Sequence, residues 1–338
     1  MRLLTLYVAG LEEHTDFLES QAELKKLVRA VNQSIDHVDY VTGNEDFKEV
    51  MASVKEASFP IVKKMSESAW TATKFLSKEG FNLAVKALNT SSLKIKKLSE
   101  NNKYFLKEIV SQLPESHDVE VTLGNLAAIT RDGKIGDFIR DIDEYKDVVN
   151  AMNKHGDAVL DYMNSIIVIV SKVSKTSTDK DVMSMLEKLD NLRYPKLSLE
   201  NHLLPGGRTI EFSEKEGSVK YSMLTDKPSA TSETKHYSKD EMKSILNKLV
   251  ELNDSLLLIK KGQEKFIASM KTWNEKLPTI MGNLVDNTVL SSGAKSEIKA
   301  AVQLNPAIIS FYGEIYPELG ACVNSYIITL SGNFAKII

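Results

Sequence analysis

Between Ser238 and Glu275 apolar side chains return every three or four residues, at Met242, Ile245, Leu249, Leu252, Leu256, Ile259, Phe266, Met270 and Trp273, with Gln263 the one polar member of the row. Steps that alternate three and four keep a narrow stripe on one side of a helix, with a period of about 3.5 residues. Ser238 with Glu241 three positions later marks the start, because each side chain can satisfy the other's backbone N–H. Pro278 is expected to mark the end. A second row runs through Phe138, Ile142, Tyr145, Val149, Met152, Val159, Met163, Ile166, Val170 and Val173, with Gly156 in one seam position where it allows a neighbouring helix close. Two seams of matched length bury most simply against each other, which predicts a long antiparallel hairpin or a multi-helix bundle.

The remaining segments add shorter elements. Leu24, Leu27, Val28, Val31 and Ile35 form one amphipathic face. Asn44 is placed to cap a short helix with Phe47, Val50 and Val54, and Pro60 suits the first turn of a helix facing inward through Ile61, Met65, Ala69, Ala72 and Leu76. Further helices are expected from Ser91 to Leu113 and from Asp179 to Leu192. The period changes after Pro195. Leu204-Pro-Gly-Gly reads as a turn, and Thr209–Ser213 with Ser218–Met223 reads as a hairpin placing Ile210, Phe212, Val219 and Tyr221 on one face. Thr225 to Lys235 is polar and is expected to be a mobile loop. The apolar tail from Ala321 to Ile338 either docks on the bundle or contacts another chain.

The pattern therefore predicts a mainly α chain: an elongated multi-helix bundle with two long heptad-patterned helices and a small β-hairpin insertion. Its expected organisation is an N-terminal helical segment (1–58), a helical bundle (59–195) with the long helix 137–174, the hairpin and polar loop (196–237), and a C-terminal part (238–338) carrying the long helix 238–276.

Composition narrows the function classes. With 43 basic and 46 acidic residues in 338, the net charge of −3 argues against a general nucleic-acid-binding surface. The single cysteine, Cys322, sits among apolar neighbours and is expected to be a buried thiol. The run Leu3–Leu11 is too short for the centre of a secretory signal, and no segment nears the roughly 18 apolar residues of a membrane span. The six histidines never stand at i, i+4, and no G-x-S-x-G elbow occurs. Around Gly133 the positions that would ligate calcium hold Ala128, Thr130 and Ile139, so the segment reads as a turn. The acidic cluster Asp137, Asp141, Asp143 and Glu144 suits a helix N-terminus better than a catalytic pair. No catalytic residue, cofactor or metal is expected. Lys94, Lys96 and Lys97 read as a solvated helix face, with a local phosphate contact as the alternative, and Trp70, one position off the inner row, is a candidate for an interface.

The segment Ser68 to Glu79 around Trp70, the long central helices, and the Leu204–Ile210 turn before a small hairpin resemble the internal head or virion structural proteins of very large tailed bacteriophages. The resemblance extends from Asn44 to Leu330. It implies a non-enzymatic protein made in the host cytoplasm during assembly and packaged inside the capsid. Implied partners are other virion or capsid proteins, a weak local contact with packaged DNA, and a possible homo-oligomer. It also implies trimming by a head-maturation protease after a small residue–any–glutamate pattern, for which Glu12, Glu45 and Glu79 are the candidate positions. Two other classes share parts of the pattern: an α-helical pore-forming toxin component and a coiled-coil adaptor. The hairpin region bears Glu211, Glu214, Lys215 and Glu216, against the apolar insertion that a toxin of that type needs.

Overall fold

The structure, a computed structural model, describes the backbone of residues 2–38, 69–131, 133–199, 203–215, 218–225, 232–302 and 306–338. Side chains are described for all of these but 2, 27–38, 69–83, 215, 218, 225, 300 and 306. In chain order the elements are α1 (Arg2–Val38), α2 (Ala69–Gln112), β1 (Val119–Leu123), α3 (Phe138–Val170), α4 (Asp179–Asp190), β2 (Leu203–Leu204), β3 (Arg208–Lys215), β4 (Ser218–Thr225), β5 (Glu233–Tyr237), α5 (Lys239–Asp286), α6 (Ser292–Ala301), α7 (Pro306–Ser310) and α8 (Tyr316–Ala335). A π-helical turn, Phe311–Ile315, joins α7 to α8.

Every seam position from Met242 to Trp273 is buried, Gln263 included. The buried stripe is wider than the seam, since Leu246, Asn253, Gly262 and Ile267 are also covered. The width has a structural cause: α5 packs against α2, α3 and α8 at once. The predicted capping box at Ser238 forms, with the Ser238 N–H donating to Glu241 Oε2 at 2.7 Å and the Glu241 N–H to Ser238 Oγ at 3.2 Å. The second seam is likewise buried, apart from a half-buried Ile166 whose neighbour Ile167 points inward. Its helix opens on Asp137, whose carboxylate accepts from the N–H groups of Ile139 and Arg140, as the reading of that acidic cluster required.

Several expectations are corrected. The two seam helices pack together, but they run parallel: Lys248 meets Asp143, Lys265 meets Asp157, and Lys175 meets Asp286. A parallel pair needs a long return connection, and residues 171–238 supply it with α4 and the β elements. Pro278 does not end α5, which continues to Asp286. A mid-helix proline costs on the order of 3 kcal/mol through one lost hydrogen bond and a clash with the preceding turn. Burial of Ile280 and Leu284 beyond it, and the bond from Asn283 Nδ2 to the Val173 carbonyl (2.8 Å), offset that cost. Long helices number four among the described residues, because the expected 91–113 segment belongs to one 44-residue helix and the N-terminal face to a 37-residue helix. The short helix after Asn44 and the start after Pro60 lie outside the described residues.

The hairpin forms as expected, with Ile210 opposite Met223 and Phe212 opposite Tyr221. Positive φ at Gly206 (83°) and Gly207 (64°) makes the preceding turn, a conformation open to glycine without a Cβ clash. The polar stretch read as a loop ends instead in a strand: Glu233–Lys235 belong to β5, which pairs antiparallel with β1. That pairing joins segments more than a hundred residues apart.

The apolar tail docks. Helix α8 is buried on nearly its whole circumference, against α1, α2, α3 and α5. Each fully buried Leu, Ile or Phe on it contributes about 1.5–3 kcal/mol of transfer free energy. Cys322 is buried there, and burial pushes its thiol up to about 12, so it stays protonated and inert.

Candidate functional site

Helix α8 carries polar side chains into this core: Asn324 bonds to α1 and α2, Ser331 to carbonyls of its own helix and Asn333 to the Gly124 backbone after β1, while the Tyr326 hydroxyl is buried without a partner. Asn102 on α2 donates through Nδ2 to Asn253 Oδ1 on α5 (3.1 Å) and to Asn324 Oδ1 on α8 (2.7 Å). Asn253 donates in turn to the Ser99 carbonyl (2.9 Å) and hydroxyl (3.0 Å). Asn324 Nδ2 donates to Nδ1 of His14 on α1 at 2.9 Å, which requires that nitrogen to be unprotonated. Burial, seconded by the charge of Arg208, lowers the His14 pKa and keeps it so. One buried amide chain thus ties α1, α2, α5 and α8 in a single register. An unpaired amide in this setting would cost about 1–3 kcal/mol, so the alternative registers are penalised.

A second feature joins the hairpin to the bundle. His155 on α3 meets the Tyr221 hydroxyl at 2.6 Å, and Tyr221 donates to the Tyr194 hydroxyl at 3.0 Å, so His155 Nε2 is the donor. Phe212 and Phe311 pack edge-on against the imidazole. Burial lowers the His155 pKa to about 4 and raises that of Tyr221 well above its ordinary value, leaving both groups neutral. Three helical glycines make room for tyrosine rings. A Cβ at Gly156 would stand 2.8 Å from the Tyr312 hydroxyl, one at Gly262 2.5 Å from Tyr316 Cε1, and one at Gly332 2.5 Å from Tyr7 Cε2. The close approach expected at Gly156 is therefore realised, by the π-helical turn. The Leu204–Gly207 turn is pinned by Tyr145 Oη donating to the Pro205 carbonyl (2.8 Å) and by the Gly206 N–H donating to the Thr130 carbonyl (2.8 Å).

Arg131 reaches Asp141 at 2.7 Å and Glu144 at 2.5 Å, so two of the acids read as helix-dipole partners also hold a guanidinium. Burial raises the Asp141 pKa against the opposing pull of Arg131. The amide chain, the His155 cluster and this ion pair have the chemistry of fasteners: each joins side chains of separate segments across the core or its edge.

The residues singled out from sequence lie elsewhere. Lys94 Nζ donates to the Asp16 carbonyl (2.7 Å), Lys97 stands 3.8 Å from Glu13, and Lys96 stands 3.7 Å from Glu100. Lys94 and Lys97 thus lie along the seam between α1 and α2. Trp70 and Glu79 fall on the backbone of α2, their side chains outside those described. Glu12 is an exposed residue of α1, and Glu45 lies outside the described residues. Among the described residues there is no group of three or more His, Cys, Asp or Glu side chains placed to hold a metal ion. No helix among them is long and apolar enough to cross a membrane. The amide chain was missed from sequence, although Asn324 in an apolar tail was its visible trace; Gln263, the polar member of the seam, bonds Ser91 on α2 instead (3.2 Å).

A family model described as phiKZ-like phage internal head proteins matches residues 11–331. No curated protein matches the chain, and no solved structure matches it.

Proposed function

The chain belongs to the phiKZ-like phage internal head proteins, a structural component of the virion lying inside the capsid, and on that premise we infer that it works by rigid packing and surface contact, without catalysis. The observation that carries this is the match over nearly the whole chain. The structure supports it by what its polar groups do. The buried amides bond one helix to another, and the neutral His155 and the protonated Cys322 thiol are packed into the core. The pore-forming reading gains no support: Ile210 and Tyr221 of the hairpin's apolar face are buried, and Phe212 packs against Tyr221 and His155.

The finer elements are proposals. The N-terminal part is trimmed in the packaged form, by a cut after Glu12 or Glu45 within segment 1–58 or after Glu79 in α2. Glu12 lies in helix α1, so a cut there requires local opening of its first turns. Lys94, Lys96, Lys97 and Trp70 belong to a contact region on α2 for another chain of the virion. Intact-mass and N-terminal analysis of the protein recovered from purified heads tests the trimming. A start just after one of the three glutamates is expected, and an untouched Met1 in packaged protein would remove it.

A further inference from the structure

The outer face of the α1–α2 pair carries exposed apolar and charged side chains in an ordered arrangement. On α1, Leu4, Val8, Leu11 and Leu18 recur every three, four or seven residues and are exposed, Leu4 at 65%. At 3.6 residues per turn they share one arc of the helix. Glu12, Asp16, Glu19 and Glu23, all exposed, fill the adjacent arc, with Lys26 closing the run. The ion pair of Glu13 with Lys97 and the bond from Lys94 to the Asp16 carbonyl mark the side of α1 that meets α2, and at 100° per residue the acidic arc lies between that side and the apolar row. Along α2 the exposed face reads Lys86, Lys96, Lys97, Lys103 and Lys107, interrupted by Glu100. Leu93 and Tyr104 lie on the same face, 62% and 67% exposed. An acidic helix face thus lies beside a basic one, each with large apolar groups left in water. Contiguous exposed apolar groups rimmed by polar ones mark interaction surfaces.

We propose that this face is a two-fold interface with a second copy of the chain, α1 of each copy lying on α2 of the other. The two faces are complementary to each other and each is like-charged with itself, so the pairing that satisfies both crosses helix types. A two-fold axis along the pair keeps the observed levels, in which Tyr7 stands by Phe105, Glu13 by Lys97 and Asp16 by Lys94. Leu18 then meets the partner's Leu93, Asp16 the partner's Lys96, and Glu23 the partner's Lys86. Two helices about 10 Å wide, in contact over about 30 Å, cover about 600 Å² per copy, or about 1,200 Å² in all, the lower end of what specific interfaces bury. The contact is isologous and closes at the dimer. It belongs to the chain with α1 attached, before any trimming of the N-terminal segment.

The test is analytical ultracentrifugation of the full chain at tens of micromolar, a range suited to an interface of this size. The wild type is expected to sediment as a dimer. Two triple variants, E12K/D16K/E23K and K86E/K96E/K103E, are each expected to be monomeric, with association weakened about tenfold or more by like-charge contacts. Mixing them in equal amounts restores the dimer, since each variant's altered face matches the other's. That rescue also shows that both variants are folded. A monomeric wild type overturns the proposal, and so does a dimer that either triple variant leaves intact. A chain that stays monomeric but binds a short DNA duplex, with binding lost in K86E/K96E/K103E, would assign the lysine face to a polyanion instead.

Discussion

Replacing Asn102 by alanine removes the one donor that serves two buried acceptors, Asn253 Oδ1 and Asn324 Oδ1. Asn102 is 2% exposed, so water cannot replace the lost donor without entering the junction of three helices. Each orphaned buried acceptor costs about 1–3 kcal/mol, so the two together predict a loss of about 2–6 kcal/mol. Against a native stability of about 5–15 kcal/mol that is a large fraction. Removing every polar partner tests the same logic from the other side. The triple variant N102L/N253L/N324L leaves no amide oxygen stranded. Of the groups it frees, the Ser99 hydroxyl can bond a carbonyl of its own helix and His14 is only half-buried, so it is expected to be more stable than N102A alone. Urea unfolding followed by far-UV circular dichroism reads both values. If N102A lost less than about 0.5 kcal/mol, an ordinary surface value, the amide chain would not be holding the helices in register.

Other consequences are open to direct measurement. Because burial holds the His155 pKa at about 4, against an ordinary 6.5, the unfolded chain binds a proton that the folded chain refuses between those pH values. Stability should therefore fall as pH drops through 6.5 and level off near 4, by about 3 kcal/mol from this group. His155→Phe should flatten that part of the pH profile relative to wild type in paired urea titrations. Gly262→Val forces a side chain into the Tyr316 ring and breaks the 2.9 Å bond from Tyr316 Oη to Asn153, so a loss of about 1–3 kcal/mol is expected by thermal unfolding. Ser238→Ala removes the cap of α5 and should cost about 1 kcal/mol in the same assay, while Thr15→Ala on the exposed face of α1 should stay within about 0.5 kcal/mol.

What the sequence showed and what it hid divide along a physical line. The seams of α3 and α5, the Ser238 cap, the Gly206–Gly207 turn and the β3–β4 hairpin are local patterns, each decided by residues within a few turns of one another. The parallel direction of α3 and α5 depends on how residues 171–238 return the chain, which no seam encodes. Strand β1 was invisible for the same reason: Val119–Leu123 acquires its meaning from Glu233–Tyr237, which pairs with it across the chain. Pro278 misled because its local cost is offset by tertiary burial of Ile280 and Leu284. Among the fasteners, His155 was read only as a poor metal ligand. Asn102 and Asn253 look like ordinary surface residues until the wide buried stripe of α5 is known.

The central claim is that this chain is a structural protein held inside the phage head, and protease protection tests it most directly. Purified particles of the source phage are treated with a broad-specificity protease, the protease is inactivated, and the heads are then opened and analysed by quantitative peptide mass spectrometry. The account predicts that peptides from the chain survive in full while particles are intact and become digestible only after the heads are opened. Absence of the chain from purified particles, or its digestion while the heads remain closed, would contradict it.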